Sequence, residues 1–174
     1  MTLPGQWWSS AVVLFALLAL PANLRAQEKY SKVYLDSAHQ LHVVTSRGRR
    51  ITPRKIGDQT EFDAPRISAD RKSVGWLAVH PNCCTTYPIP IELVVLSGGK
   101  QHVFRGADLA TWHWAFSPDG KRVVLEQGPV HGTRRSFELR DIRTGRRVNS
   151  FQADSVDEKR LPAWTRVLTL PPSE

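Results

Sequence analysis

Phe116-Ser-Pro-Asp-Gly-Lys-Arg-Val-Val-Leu125 is the stretch that decides the fold. An apolar residue leads in, a tight turn follows, and a β-branched run leads out. In such a turn the Ser117 and Asp119 side chains can bond backbone N–H groups, and Gly120 tolerates a positive φ. The stretch has a second copy. Ile67-Ser-Ala-Asp-Arg-Lys-Ser-Val-Gly-Trp76 aligns with it without a gap at an offset of 49 residues, setting Ser68 on Ser117, Asp70 on Asp119, Lys72 on Lys121 and Val74 on Val123. Leu93-Val-Val-Leu-Ser-Gly-Gly-Lys100 then aligns with Leu139-Arg-Asp-Ile-Arg-Thr-Gly-Arg146 at an offset of 46, the difference being a shorter internal loop. Self-similarity of that length is the signature of a blade-like β-repeat. Ser68, Asp70, Ser117, Asp119 and Gly120 are therefore read as turn-building residues with no catalytic part.

Working outward, strand-like runs with period-2 alternation or β-branched residues recur at Lys32–Leu35, Leu41–Thr45, Ser73–Val79, Ile91–Leu96, Arg122–Glu126 and Phe137–Ile142. Turn signals at Ser46–Gly48, Ser97–Gly99, Pro118–Gly120 and Thr144–Gly145 separate them. No convincing apolar stripe at helical spacing occurs after the first 26 residues, and Asp154–Arg160 offers at most a helical turn. The expected fold is all-β, built from antiparallel blade-like repeats: a half-unit over 32–53, full units over 63–104 and 112–151, and an apolar stub over 161–170.

Phe116-Ser-Pro-Asp-Gly-Lys121 followed by Val123-Val124-Leu125 resembles the F-S-P-D-G-K motif of TolB-type β-propeller blades, relatives of WD repeats. Ile67–Val74 is a degenerate copy, with Ala69 and Arg71 where the motif has Pro and Gly. The resemblance covers roughly residues 63–151. It implies a periplasmic or secreted scaffold, and it transfers no catalytic residue, since the family shares none. A closed propeller takes about 4 to 8 blades, so two full units leave three architectures open: a partial propeller capped by its half-units, a self-assembling half, or two hairpin layers packed as a small sandwich.

Residues 11–22, AVVLFALLALPA, have the length of a signal-peptide apolar core, with Pro21 breaking the run where a cleavage region begins. Cleavage after Ala26 is expected, with Ala22 as the alternative site and an uncleaved anchor as the alternative reading. The division is then a signal peptide over 1–26 and a β-repeat domain over 27–174, secreted or periplasmic. No apolar run reaches the roughly 18 to 20 residues of a spanning helix. The chain has 174 residues and a formal charge of +8, which falls to +7 when Arg25 leaves with the leader. Its hydrophobic and charged fractions, 41% and 23%, exclude wholesale disorder, and two cysteines exclude a disulfide scaffold.

Few residues carry chemistry. Cys83 and Cys84 lie in His80-Pro-Asn-Cys-Cys-Thr-Thr-Tyr-Pro-Ile-Pro90. In an exporting compartment they can pair as a vicinal disulfide that clamps the loop, or stay as two thiols, or serve redox or metal chemistry. C-C is not the redox C-x-x-C, and the spacing of His80, His113 and His131 gives no metal-ligand pattern. Tyr87 sits on a loop restrained by Pro88 and Pro90, the kind of element that carries binding surfaces or covers an open edge. Trp112-His113-Trp114 alternates at period 2, placing both indoles on one face, either as core or as an aromatic platform for a ligand. Arg134 and Arg135 belong to a cluster with Arg140, Arg143, Arg146 and Arg147, and Arg47, Arg49, Arg50, Arg54 and Lys55 form another. Such clusters attract anionic polymer or serve as solvated edge charges. No catalytic, cofactor-binding or metal motif is present: there is no G-x-S-x-G, no H-E-x-x-H and no phosphate-binding glycine loop.

The expected function is a non-enzymatic, exported β-repeat module that binds a protein or an envelope component. Behind it stands a binder of anionic envelope polymer through the arginines, glycans or lipid headgroups before nucleic acid. A redox or metal protein using Cys83 and Cys84 comes last. An oligomer is compatible with each.

Overall fold

Three antiparallel sheets make up the described part of the chain, residues 27–81, 85–106, 110–153 and 160–168 of a computed structural model. Residues 1–26, where a signal peptide is expected, Cys83 and Cys84, the acidic segment up to residue 159 and the end of the C-terminal stub lie outside the described residues. The first sheet has strand order β1 (Tyr30–Leu35), β2 (Leu41–Thr45), β3 (Arg50–Ile51). The second runs β4 (Glu61–Ile67), β5 (Ser73–His80), β6 (Ile89–Ser97), β7 (Lys100–Arg105). The third repeats that order with β8 (Ala110–Phe116), β9 (Arg122–Gly128), β10 (Arg135–Asp141), β11 (Arg147–Ala153). The all-β, blade-like reading holds. Within the stub, Ala163–Leu168 form a 3-10 helix against β8 and β9.

Strand β5 shows how the sheets stack, because all eight of its residues are buried. Period-2 alternation sends Val74, Trp76 and Ala78 to one face, where they join Tyr30, Leu41 and Val43 of the first sheet. Leu77 goes to the other face, with Leu93, Val95 and Phe104, against Trp114, Val123, Leu125 and Ile142 of the third sheet. A middle sheet buried on both faces has a neighbour on each side, as a propeller blade does. Three stacked sheets are one layer more than a two-layer sandwich, and they fit blades of a partial propeller or of a self-assembling half alike.

The second contact depends on a missing side chain. A Cβ on Gly75 would lie 2.5 Å from the Trp114 ring, so only glycine lets the indole seat against β5. Trp114 Nε1 donates to the Ala64 carbonyl at 3.0 Å, at the bulge where β4 loses register between Asp63 and Arg66.

Both S-x-D-x-K turns close with the same hydrogen bonds. Lys72 N donates to Asp70 Oδ1 and Ser73 N to Ser68 Oγ, each at 3.0 Å. Lys121 N donates to Asp119 Oδ1 and Arg122 N to Ser117 Oγ, each again at 3.0 Å. Gly120 has φ +66°, and Arg71, its counterpart, is forced to φ +60°. Hairpin turns with Gly48, Gly99 and Gly145 at φ +79°, +77° and +71° join β2 to β3, β6 to β7 and β10 to β11. Strands β1–β3 therefore match the last three strands of the other sheets, and the first sheet has no counterpart of β4 and β8 among the described residues.

This topology sorts the connections into two ends. The short turns after β2, β4, β6, β8 and β10 share one end, the turn end. The described segments 36–40, 52–60, 85–88 and 129–134, with Pro81 and Gly106, share the opposite, loop end.

Candidate functional site

One group of ionisable side chains with buried partners stands at the loop end. His80, 5% exposed, closes β5 and stands between two carboxylates. Its Nδ1 is 2.8 Å from Asp58 Oδ1, and its Nε2 is 3.3 Å from Glu92 Oε2, a contact at ion-pair range without hydrogen-bond geometry. Arg105 lies directly across from Glu92 in the β6–β7 register and reaches Glu92 Oε1 at 2.8 Å. Asp58, His80, Glu92 and Arg105 thus form a chain of polar contacts that ties the 52–60 loop to three strands. The bond from His80 is the main reason the Asp58 carboxyl is held below its ordinary range.

A second group lies on the outer face of the third sheet. His113 Nδ1 is 2.9 Å from Glu126 Oε2, and Arg135 Nε is 3.2 Å from Glu126 Oε1. His113 and Glu126 are cross-strand partners, so register alone brings them together. On the inner face, Thr111 and Gln127 are also partners. The Thr111 hydroxyl and both Gln127 amide atoms are buried without a hydrogen-bond partner among the described residues. A Cβ on Gly106 would fall 1.4 Å from Gln127 Nε2, so that amide occupies the room the glycine leaves. Between the first two sheets, a cleft of about 280 Å³ is lined by Ala38, His39, Gln40, Lys55, Thr60 and Glu61.

The structure separates residues that the sequence placed together. Trp112 and Trp114 do not share a face as a platform. A bulge between Thr111 and His113 takes Trp112 out of alternation, and Trp114, 1% exposed, is core. Tyr87 is 54% exposed on the loop end. The arginines do not make one face either. Arg134 and Arg135 stand at the loop end, Arg143 and Arg146 at the turn end, and Arg140 reaches inward between the second and third sheets. There Arg140 Nη2 is 2.6 Å from Glu138 and donates to the Arg105 carbonyl, while Arg147 Nη1 meets Glu138 Oε1 at 3.1 Å. Glu138 is 2% exposed, a buried anion satisfied by two guanidinium groups.

Sequence reading passed over Glu92 and Glu138. Each is a lone acid inside an apolar strand, Ile91-Glu-Leu-Val and Phe137-Glu-Leu, and a buried acid demands a cation nearby. His80 and His113, weighed as metal ligands, are instead held by carboxylates. Among the described residues no group of three His, Cys, Asp or Glu is arranged to hold a metal ion, and no helix there is long and apolar enough to cross a membrane.

No family model matches this sequence, and no curated protein is similar to it. Among solved structures the chain is similar to hydrazine synthase of Kuenenia stuttgartiensis, with 24% identity and a TM-score of 0.46, covering 67% of this chain and 32% of the other. It is similar to the β-propeller domain of the Trilobed protease from Pyrococcus furiosus, described as having an open velcro topology, with 13% identity and a TM-score of 0.46. That match covers 72% of this chain and 43% of the other. TolB from Acinetobacter baumannii is similar at 16% identity and a TM-score of 0.24, over 70% and 40%. The chain spans between about a third and less than half of these structures' own lengths.

Proposed function

We propose that this chain is an exported, non-enzymatic binding module whose stacked sheets hold the loop end rigid for a protein partner or envelope component. The observation that supports this reading is Tyr87. It is a half-exposed aromatic on a proline-restrained loop, beside strand ends that His80, Glu92 and Arg105 lock together. Tyrosine supplies large contact area at low entropic cost, and a fixed loop loses little freedom on binding. A photo-crosslinking residue placed at 87, with the same residue at exposed Val148 on β11 as control, tests it. In envelope extracts the expected result is a discrete adduct from position 87 alone. No adduct, or equal labelling from both positions, rejects the loop end as the binding surface.

Export belongs to the same reading and is supported by the apolar run 11–22. Mass spectrometry of the protein recovered from the producing cell should find an N-terminus near Gln27, and an intact Met1 removes export with cleavage. Cys83 and Cys84 are read as a loop clamp in that compartment. Hydrogen exchange with and without reductant should loosen 81–90 and leave the sheets protected, whereas loss of protection in both full sheets would give the cysteines a structural role in the whole fold.

A further inference from the structure

The turn end, assembled from all three sheets, carries the excess positive charge that the sequence spreads along its length. Close contacts tie its turns into one surface. Ser46 N donates to the Lys29 carbonyl at 2.8 Å, and Tyr30 N to the Arg71 carbonyl at 2.8 Å, joining the first sheet to the 68–73 turn. Ser73 Oγ bonds Ser97 Oγ at 2.9 Å, bringing in the β6–β7 hairpin. The Asp70 carboxylate lies over Gly120, where a Cβ would be only 2.7 Å from Oδ1, and Ile142 N donates to the Lys121 carbonyl at 3.0 Å. Five turns from three sheets therefore meet at one end.

Every one of these turns presents exposed cations. The first sheet contributes Arg47 and Arg49, and the 68–73 turn contributes Arg71 and Lys72. Lys100 follows on the β6–β7 hairpin. Lys121 and Arg122, then Arg143 and Arg146, complete the third sheet's share. The acids at this end are Glu28, Asp70, Asp119 and Asp141. Glu28 is spent on Arg49, and the other three accept backbone N–H bonds inside their own turns. The loop end differs in kind, since Asp36, Asp58, Glu61, Glu92 and Glu126 stand among its cations.

We infer that the turn end is a docking surface for an anionic lipid bilayer. Charge complementarity gives the sign of the partner, and layout gives its shape. Stacked sheets lie roughly 10 Å apart and neighbouring strands roughly 5 Å apart, so the cations form a two-dimensional array of hairpin tips. A linear polyanion is read along a row of charges; a planar array matches a membrane surface. The attraction is electrostatic, so it weakens with salt. The docked module would hold its loop end, with Tyr87, pointing away from the membrane.

The test is co-sedimentation of the 174-residue chain with vesicles of phosphatidylcholine alone or with 30% phosphatidylglycerol, at low and high salt. Neutral vesicles set the baseline for any contribution of the apolar run 11–22. Expected is binding to the anionic vesicles well above that baseline, falling with salt. The variant R47Q/K100Q/R143Q/R146Q alters only exposed tips and should lose at least about a hundredfold, at about 1 kcal/mol or fivefold per basic residue near an anionic surface. The loop-end variant K55Q/R134Q should bind as the parent does. Equal binding to both vesicle types, or equal loss in both variants, overturns the inference. Capture by soluble polyphosphate with no binding to anionic vesicles overturns it too, in favour of a polymer.

Discussion

Two residues at equivalent places in equivalent turns carry opposite strain. Gly120 at φ +66° adopts its conformation freely, and Arg71 at φ +60° adopts the same one at a cost of about 1 to 2 kcal/mol. Arg71→Gly should therefore stabilise the domain. Relief of that cost is offset by the greater freedom of glycine in the unfolded chain, leaving a gain of about 0.5 kcal/mol. Gly120→Ala should do the reverse and more, costing about 2 kcal/mol or above, because the new methyl group meets Asp70 as well as the unfavourable φ. Urea melts of the two variants and the parent check both signs. A stabilising Gly120→Ala would mean that the turns do not pack as described.

Strand β10 shows what one element does when its alternation carries a charge. Leu139 and Phe137 face outward on the third sheet, while Glu138 points to the inner face and binds Arg140 and Arg147. Glu138→Gln leaves Arg140, whose side chain is 19% exposed, beside a neutral amide. The expected loss is about 3 kcal/mol, the lower part of the range for breaking a buried pair, since water reaches Arg147. Arg147→Gln, on a side chain 53% exposed, should cost under about 1 kcal/mol. Equal losses from the two substitutions would show that the pair is not buried as the geometry gives it.

For the molecule as a whole, acid is the weak direction. Asp36, Asp58, Asp119 and Asp141 are held below their ordinary range, foremost by side-chain bonds from His42, His80, Ser117 and Thr144 in turn. A depressed folded pKa means that the unfolded chain takes up protons first as pH falls. The stabilisation is complete above the unfolded carboxylate value, near 4, and is lost as pH drops through the folded values. Melting temperature should thus hold between about pH 7 and 5 as far as these groups are concerned, then fall below about pH 4. A melting temperature unchanged at pH 3 would show that these bonds do not differ between the folded and unfolded states.

The all-β class and both S-x-D-x-K turns were legible in the sequence because they depend on local chemistry. Ser68 and Asp70, like Ser117 and Asp119, bond backbone within five residues of themselves. Period-2 alternation likewise marked β5 and β9 as strands. Which face each strand turns to a neighbour was not legible, because β5 is apolar on both faces and nothing in it says which sheet lies on which side. Nor could spacing show that Trp114 would leave the surface for Gly75, since that contact joins residues 39 apart and depends on a bulge in β8. The arginines make the same point. Counting placed Arg134, Arg135, Arg140, Arg143, Arg146 and Arg147 in one cluster, but a strand of seven residues carries charge from one end of a sheet to the other. Only the stacking of three sheets could send Arg140 inward to Glu138, leave Arg134 and Arg135 at the loop end, and gather the exposed cations of five separate turns on a single surface.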